Sequence, residues 1–359
     1  MKKLLTILAA GGLMAAATVQ AQVDIYITGS TAFRANSYRS IRAIYGANLT
    51  SQNPAHDASA QNQVTFQGTI PSLFGGQTVT IRTGHNGSAA GIQTVAQNLS
   101  INFRTSATAG DTNMMSHQAD LAFSDVFQTT TTFPTPVLVD TNVGVVVFAW
   151  VKSSQTPAGV TNITIQQCQA FLPNGLLFGD SFTGNLADNT TPVYLVGRDS
   201  GSGTRITQER DALFVGGELN WTTNGISCGS WAPHPLGGYS SGSGIVTVLN
   251  SGCGAALAYL GLPDAANVNG GANIISYNGY KPFSGTIGAP NFAAVRNGLY
   301  SAWGYEHLFR RSGAPANIST FFAAFANEIN NDLATSTSAA QVGSMNVVRP
   351  SDGGPITPP

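Results

Sequence analysis

Val193-Tyr194-Leu195-Val196-Gly197-Arg198-Asp199-Ser200-Gly201-Ser202-Gly203-Thr204 joins a short apolar run to a loop of glycines, hydroxyl side chains, one arginine and one aspartate. Val193 to Val196 has the length of a strand, and the loop stops where a helix can begin. Three other places follow the same grammar. The run Val23-Asp24-Ile25-Tyr26-Ile27-Thr28 leads into Gly29-Ser30-Thr31-Ala32. Phe33, Ser37/Tyr38, Ile41 and Ile44/Tyr45 then recur at helical spacing until Gly46. Thr78 to Arg82 leads into Asn86-Gly87-Ser88-Ala89, where Ser88 is a candidate N-cap and Ile92, Val95, Ala96 and Leu99 form one helical stripe. Ala119 to Phe123 ends in Phe123-Ser124-Asp125.

Further strands are expected at Val137 to Val139, Gly144 to Val151 and Ala255 to Leu260. Two helices close the chain, one from about Phe292 to Phe309 and one carrying Ile318, Phe321, Phe322, Phe325 and Ile329. Trp303, Tyr305 and Phe309 read as core on the first of these, with His307 a satisfied core or surface group. The polar, Pro/Gly-rich stretch from Val347 to Pro359 reads as a loose tail. Alternation of this kind argues for α/β layers with mainly parallel strands.

Charged residues make up 9% of the 359 residues, against about 25% in an ordinary soluble domain. Clustered cations are missing, so a nucleic-acid surface built on counterion release is excluded. The 42% hydrophobic content and 18 Phe are enough for a core, which argues against disorder. Met1-Lys2-Lys3, the apolar run Leu4 to Val19 and Val19-Gln20-Ala21 have the order of a secretory leader, placing the mature start at Gln22. Without Lys2 and Lys3, 14 basic side chains face 17 acidic ones, a net charge of −3. No cysteine at the cleavage point offers a lipid anchor, and no later run is long enough to span a membrane. Cys168, Cys228 and Cys253 suit an oxidising compartment with one bridge. Cys228 and Cys253 lie in Gly-containing polar loops and are the expected pair, with Cys168 in a helix-like stretch. No cysteine or histidine has the spacing of a metal site, and no cofactor is expected.

In open α/β sheets ligands bind beyond the carboxyl ends of the strands. There, free backbone N–H groups and the positive end of a helix dipole meet an anion. A hydroxyl at one helix start reads first as a plain cap. Four such corners, with one Arg and one Asp among neutral donors, point to an oxyanion pocket. Two other classes compete. Asp199-Ser200-Gly201 is similar to a serine-nucleophile turn, with His56, His85, His117, His234 and His307 as available bases, although none has a triad context. A surface adhesin fits the Thr/Asn/Gly composition but leaves the four corners unexplained.

Arg198-Asp199-Ser200-Gly201-Ser202-Gly203-Thr204 resembles the Arg-x-Asp/Ser-Gly-Ser-Gly-Thr loop of the periplasmic phosphate-binding proteins of ABC transporters. The other corners fall in that family's order, and Gly254-Ala255-Ala256-Leu257-Ala258-Tyr259-Leu260 looks like its return strand. The acid of the loop, Asp199, stands one place early, and Arg34 occupies a turn that is usually neutral. The resemblance implies a two-lobed type II periplasmic binding fold, each lobe a mainly parallel sheet flanked by helices and joined by a two-strand hinge. After a leader over residues 1–21, lobe one would take residues 22–143 and 255–346, lobe two residues 144–254, and the tail 347–359. The implied function is capture of inorganic phosphate, or another tetrahedral oxyanion, by a monomeric, non-enzymatic, periplasmic or secreted binding protein that serves an ABC permease. Ser30, Thr31, Ala32, Ser88 and Asp125 would contribute from lobe one, and Arg198, Ser202, Gly203 and Thr204 from lobe two. Hydroxyls and backbone N–H groups would donate without adding formal charge, and Arg198 would add a charge-assisted contact. Asp125 would accept the proton of monohydrogen phosphate, which sulfate lacks at neutral pH.

Overall fold

The computed structural model of the chain describes residues 22–55, 61–214, 216–223 and 228–359. The leader expected over residues 1–21 lies outside the described residues, as do residues 224–227 of the loop before Cys228. In chain order the principal elements are β1 (Val23–Gly29), α1 (Arg34–Tyr45), β2 (Leu49–Asn53), β3 (Gln63–Thr69), β4 (Thr78–Gly84), α2 (Ser88–Ala96), β5 (Leu121–Ser124) and β6 (Val139–Lys152). They continue with α3 (Ile165–Asn174), β7 (Leu176–Phe178), β8 (Pro192–Leu195), α4 (Gly203–Asp211), α5 (Gly242–Asn250), β9 (Ala256–Gly261), β10 (Trp303–Arg310), α6 (Ala316–Asp332) and β11 (Ala339–Ala340).

Eleven strands form one sheet in the order β7-β8-β9-β6-β10-β5-β1-β4-β3-β2, with β11 alongside β6. Strand β6 is 14 residues long. Residues 139–147 pair with β10 and residues 148–152 with β9, so one strand carries the backbone ladder from one half of the molecule into the other. Pairing is parallel where a strand feeds a corner, between β1 and β4, β1 and β5, and β8 and β9. Hairpins and the returning strands β9 and β10 add antiparallel partners outside these.

β1, β4, β5 and β9 are buried along almost their whole length, polar residues included, so both faces of the sheet are covered there. In β1, Ile25 and Ile27 enter the main core with Tyr38, Ile41 and Phe123, while Tyr26 turns to a smaller cluster with Ile92, Val95 and Phe309. Gly29 closes β1 at φ +110°, where a Cβ would lie 1.9 Å from the Phe123 carbonyl oxygen. Only glycine allows β1 and β5 to end side by side. Cys228 and Cys253 are bridged, and Cys168 is buried and reduced on α3. No helix among the described residues is long and apolar enough to cross a membrane.

Two expectations are corrected. The helix expected from Phe292 to Phe309 is a single turn, Ala293–Arg296, followed by β10. Trp303, Tyr305, His307 and Phe309 alternate along one face of β10, each ring against the next at centroid distances of 5.4, 6.4 and 5.4 Å. Period two therefore overrides a helical reading of the same aromatics. They are core, as expected, but on a strand. His307 is half satisfied, its Nδ1 bonded to Asp140 at 2.9 Å and its buried Nε2 without a partner. The second correction concerns the tail. Arg349 is buried, pairs with Asp211, donates to the Trp303 carbonyl at 2.7 Å and lies over the Trp303 ring. Asp352 accepts the Phe127 N–H at 3.0 Å, so residues 347–359 are tied to the body by a buried charge that composition did not flag.

Candidate functional site

Each expected corner stands at the end of β1, β4, β5 or β8, and the four converge. At the first, Ser30 N–H donates to the Phe123 carbonyl at 2.9 Å and Ser30 Oγ accepts the Phe33 N–H at 3.3 Å. Thr31 Oγ1 accepts from Arg198 Nη2 at 3.1 Å. Ala32 packs against Gly261, where a Cβ would come within 3.0 Å of its own. At the second corner Gly87, φ +101°, takes the N-cap position that the sequence assigns to Ser88. This corrects the capping assignment. Ser88 is the first helical residue and its hydroxyl donates to Asp125 Oδ1.

Asp125, at the third corner, also accepts from Thr204 Oγ1 at 3.3 Å through Oδ2. Gly203 fits against it: a Cβ there would sit 1.7 Å from Asp125 Oδ1 and 2.8 Å from Ser88 Oγ. Ser202 is the N-cap of α4, its side chain accepting from Arg205 N–H. Its hydroxyl thus serves the helix first. The Ala89 N–H reaches the Gly201 carbonyl at 3.2 Å and adds a backbone link between the second and fourth corners. Arg198 spends Nε on the Tyr239 carbonyl at 3.0 Å and Nη2 on Thr31 and on the Ser240 carbonyl at 2.9 Å. Its Nη1 takes no partner among the described residues. Ser30, Thr31, Ala32, Ser88, Asp125, Arg198, Ser202 and Thr204 are all buried, none above 5% exposed, so the cluster is shielded from bulk solvent.

The electrostatics follow from that burial. Desolvation pushes the Asp125 carboxyl up, opposed by the Ser88 hydrogen bond, the Arg198 charge, its own backbone and Thr204. Desolvation lowers the Arg198 guanidinium, and Asp199, Asp264 and Asp125 oppose it. Arg34 opens α1, is buried and donates to Asn62 Oδ1 at 2.7 Å. Its charge favours the ionised form of Asp264, which burial otherwise pushes up.

Three groups escaped sequence reasoning. Ser240-Ser241-Gly242-Ser243-Gly244 opens α5 with the same spelling as the other corners and receives Arg198. The Asp264 carboxylate sits at that helix start, 2.1 Å from where a Gly242 Cβ would lie. Glu306 on β10 is fully buried beside Asp125, and the alternating pattern of residues 303–309 is the signal that would have found it.

No known family profile matches the chain, and no curated protein matches it in sequence. Two experimentally determined structures share its shape. One is described as a phosphate ABC transporter substrate-binding protein with bound phosphate from Clostridium perfringens, 15% identical, covering 89% of this chain and 99% of that one at a TM-score of 0.56. The other is an ABC-type phosphate transport receptor from Vibrio cholerae, 16% identical, covering 88% and 99% at a TM-score of 0.50. The likeness shows the fold, an α/β sheet flanked by helices that this chain shares with both structures.

Proposed function

We propose that the chain is an extracytoplasmic solute-binding protein that captures inorganic phosphate between its lobes and delivers it to an ABC permease. The observation that carries this reading is the pairing across the corners: Thr204 and Ser88 on Asp125, and Arg198 on Thr31. These are hydroxyl and guanidinium donors held by neighbouring oxygens, and an anion with four oxygens can replace those oxygens one for one. A buried cluster of neutral donors with one cation stabilises a dianion without the mobility of a lysine-lined surface. Asp125 is acceptor-only when ionised and repels an anion unless the anion has a proton to donate, which favours monohydrogen phosphate over sulfate.

Lobe one would comprise residues 22–143 and 255–346 and lobe two residues 144–254, with β6 as the shared strand about which they close. Ser30, Thr31, Ala32, Ser88 and Asp125 then act from one side and Arg198, Ser202, Gly203 and Thr204 from the other. The neighbours in fold are binding proteins rather than enzymes. Ser200 is exposed and bonds to no histidine among the described residues, which favours binding over hydrolysis. A leader over residues 1–21, export, and action as a monomer complete the reading.

The test is isothermal titration of refolded, ligand-stripped protein with phosphate, arsenate and sulfate. Saturable binding of phosphate and arsenate with weaker sulfate is expected. Absence of heat with all three, together with a melting temperature indifferent to phosphate, overturns the proposal, because a ligand of the folded state must raise stability.

A further inference from the structure

The residues of the corner cluster are buried, so an anion reaches them through a neighbouring opening. Two cavities adjoin the corners. The smaller, about 80 Å³, is lined by Thr31 and Ala32 but also by the Asp264 carboxylate, and the guanidinium there, Arg34, is committed to Asn62. The larger, about 290 Å³, forms where Ala89 and Thr130 to Thr132 meet Ser200 and the Arg210 turn of α4. Ala89 and Ser200 are the chain neighbours of Ser88 and Gly201, so this cavity opens beside the second and fourth corners.

Arg210 differs from every other arginine of the described residues. The others each donate at least one side-chain hydrogen bond, and none of them is exposed. The Arg210 guanidinium is exposed and takes neither a hydrogen bond nor an ion pair among the described residues. The Thr132 and Ser200 hydroxyls are likewise exposed and unbonded. Thr131 spends its hydroxyl on the Gln128 carbonyl at 2.8 Å, and the one acid of the wall, Glu209, is engaged by Arg205 Nε at 2.9 Å. The cavity thus offers one uncommitted cation and two uncommitted hydroxyls, a donor set that suits an oxyanion. Apart from Lys2 and Lys3, 14 basic side chains face 17 acidic ones, so attraction of an anion has to come from a local charge of this kind.

We propose that this cavity is a waiting site for a tetrahedral oxyanion: Arg210, with the Thr132 and Ser200 hydroxyls, holds incoming phosphate at the mouth before it passes to the corners. The waiting site rests on the phosphate-binding reading given above. The Ala89 N–H to Gly201 carbonyl bond, at 3.2 Å, joins the wall of the cavity to the fourth corner. Its parting frees an N–H in the first turn of α2, where the helix dipole favours an anion. The ion is then handed from Arg210 to a donor that its own passage uncovers. Arg198 serves the ion once bound, and Arg210 serves it on the way.

The experiment measures both rates of phosphate exchange on ligand-stripped protein, association by quench-flow with radiolabelled phosphate and release by a chase of unlabelled phosphate. Arg210→Gln is expected to slow association about tenfold at low salt, the lower end of electrostatic steering. Release should slow by nearly the same factor and Kd should stay within about threefold, because a charge that stabilises only the passage acts on rates more than on affinity. Native association should fall as ionic strength rises until it meets that of the variant. Arg210→Lys keeps the charge and should keep most of the native rate. Thr132→Ala combined with Ser200→Ala changes no charge and should still slow association about threefold, the scale of neutral hydrogen bonds. Since the Arg210 side chain makes no bond within the protein, melting temperatures should hold, which separates the effect from misfolding. Native association rate and salt dependence in Arg210→Gln overturn the waiting site while leaving phosphate binding intact. So does a loss of affinity carried wholly by faster release, which would put Arg210 on the bound ion, and so does a native rate in the hydroxyl double variant, which would reduce Arg210 to a distant field. Native protein that binds no phosphate at all overturns the binding reading and the waiting site together.

Discussion

Asp125→Asn separates selectivity from affinity. In the native site both Asp125 oxygens accept, from Ser88 and from Thr204, and Gly203, having no Cβ, lets the carboxylate lie against the start of α4. The amide keeps the shape and turns one acceptor into a donor. Monohydrogen phosphate then meets an N–H where it offered its own proton, a mismatch worth about 1–3 kcal/mol for a buried unpaired group and more beside a charge. Sulfate loses a carboxylate that repelled it and gains a donor worth about 1.5–3 kcal/mol. The two effects have opposite signs, so the phosphate-to-sulfate affinity ratio should fall by about a hundredfold or more. Calorimetry with each anion in phosphate-free buffer reads the ratio directly. Burial already holds the Asp125 carboxyl above its ordinary range, so removing the charge should leave the anion-free melting temperature unchanged or higher. A ratio that moves by less than about threefold, far below the effect of a single hydrogen bond, would refute the selectivity argument even if the pocket binds phosphate.

Glu218, bonded to Tyr259 and paired with Arg205, is held by burial at about 8. Its unfolded counterpart ionises near 4.5, so its contribution to folding is complete below that pH and is lost as pH rises toward about 8. Thermal melts across this window should show native protein losing ground to Glu218→Gln as pH rises; parallel curves would contradict the assignment. Reducing the Cys228–Cys253 bridge, which closes a separation of 25 residues, should cost about 3 kcal/mol on the chain-entropy account, measured by urea unfolding with and without reductant. Arg349→Ala strands Asp211 in a buried site with, among the described residues, only the Ser301 hydroxyl as a side-chain partner, so a loss of about 3–5 kcal/mol is expected. A loss under about 1 kcal/mol, the scale of an exposed pair, would mean that the tail is loose after all.

The four corners are legible because strand, glycine and hydroxyl succeed one another within a few residues. The fold follows from them, since a strand that ends in a Ser/Gly helix start four times over needs a common sheet edge. The fifth run, Ser240 to Gly244, has the same spelling but follows a loop rather than an apolar strand, and nothing local marks it as a partner of Arg198. Ser88 shows the limit of local rules in the other direction. Its place at a helix start spells a cap, yet Gly87 takes that position and the hydroxyl goes to Asp125, 37 residues away. Residues 303–309 fit either period on aromatic content alone. What decides for a strand is pairing with β5 and β6, a long-range fact that single-residue propensity does not contain.

The scarcity of charge has a second meaning that composition by itself conceals. In an average domain an isolated Arg or Asp is most often solvated. Here the surface is clothed in Ser, Thr, Asn, Gln and Gly, while Arg34, Arg82, Arg198, Arg205, Arg349, Asp125, Asp211, Asp352, Glu218 and Glu306 are buried. A chain with so few charges keeps many of them where water cannot screen them. An anion entering the Arg198–Asp125 cluster therefore meets undiluted fields, and small rearrangements of hydroxyl protons weigh heavily in its affinity. Neutral donors would decide which anion fits, and the few buried charges how strongly. For this sequence a lone arginine within a Ser/Gly loop is a stronger signal of a site than its general frequency suggests, because five of the twelve arginines are buried and only Arg210 is exposed.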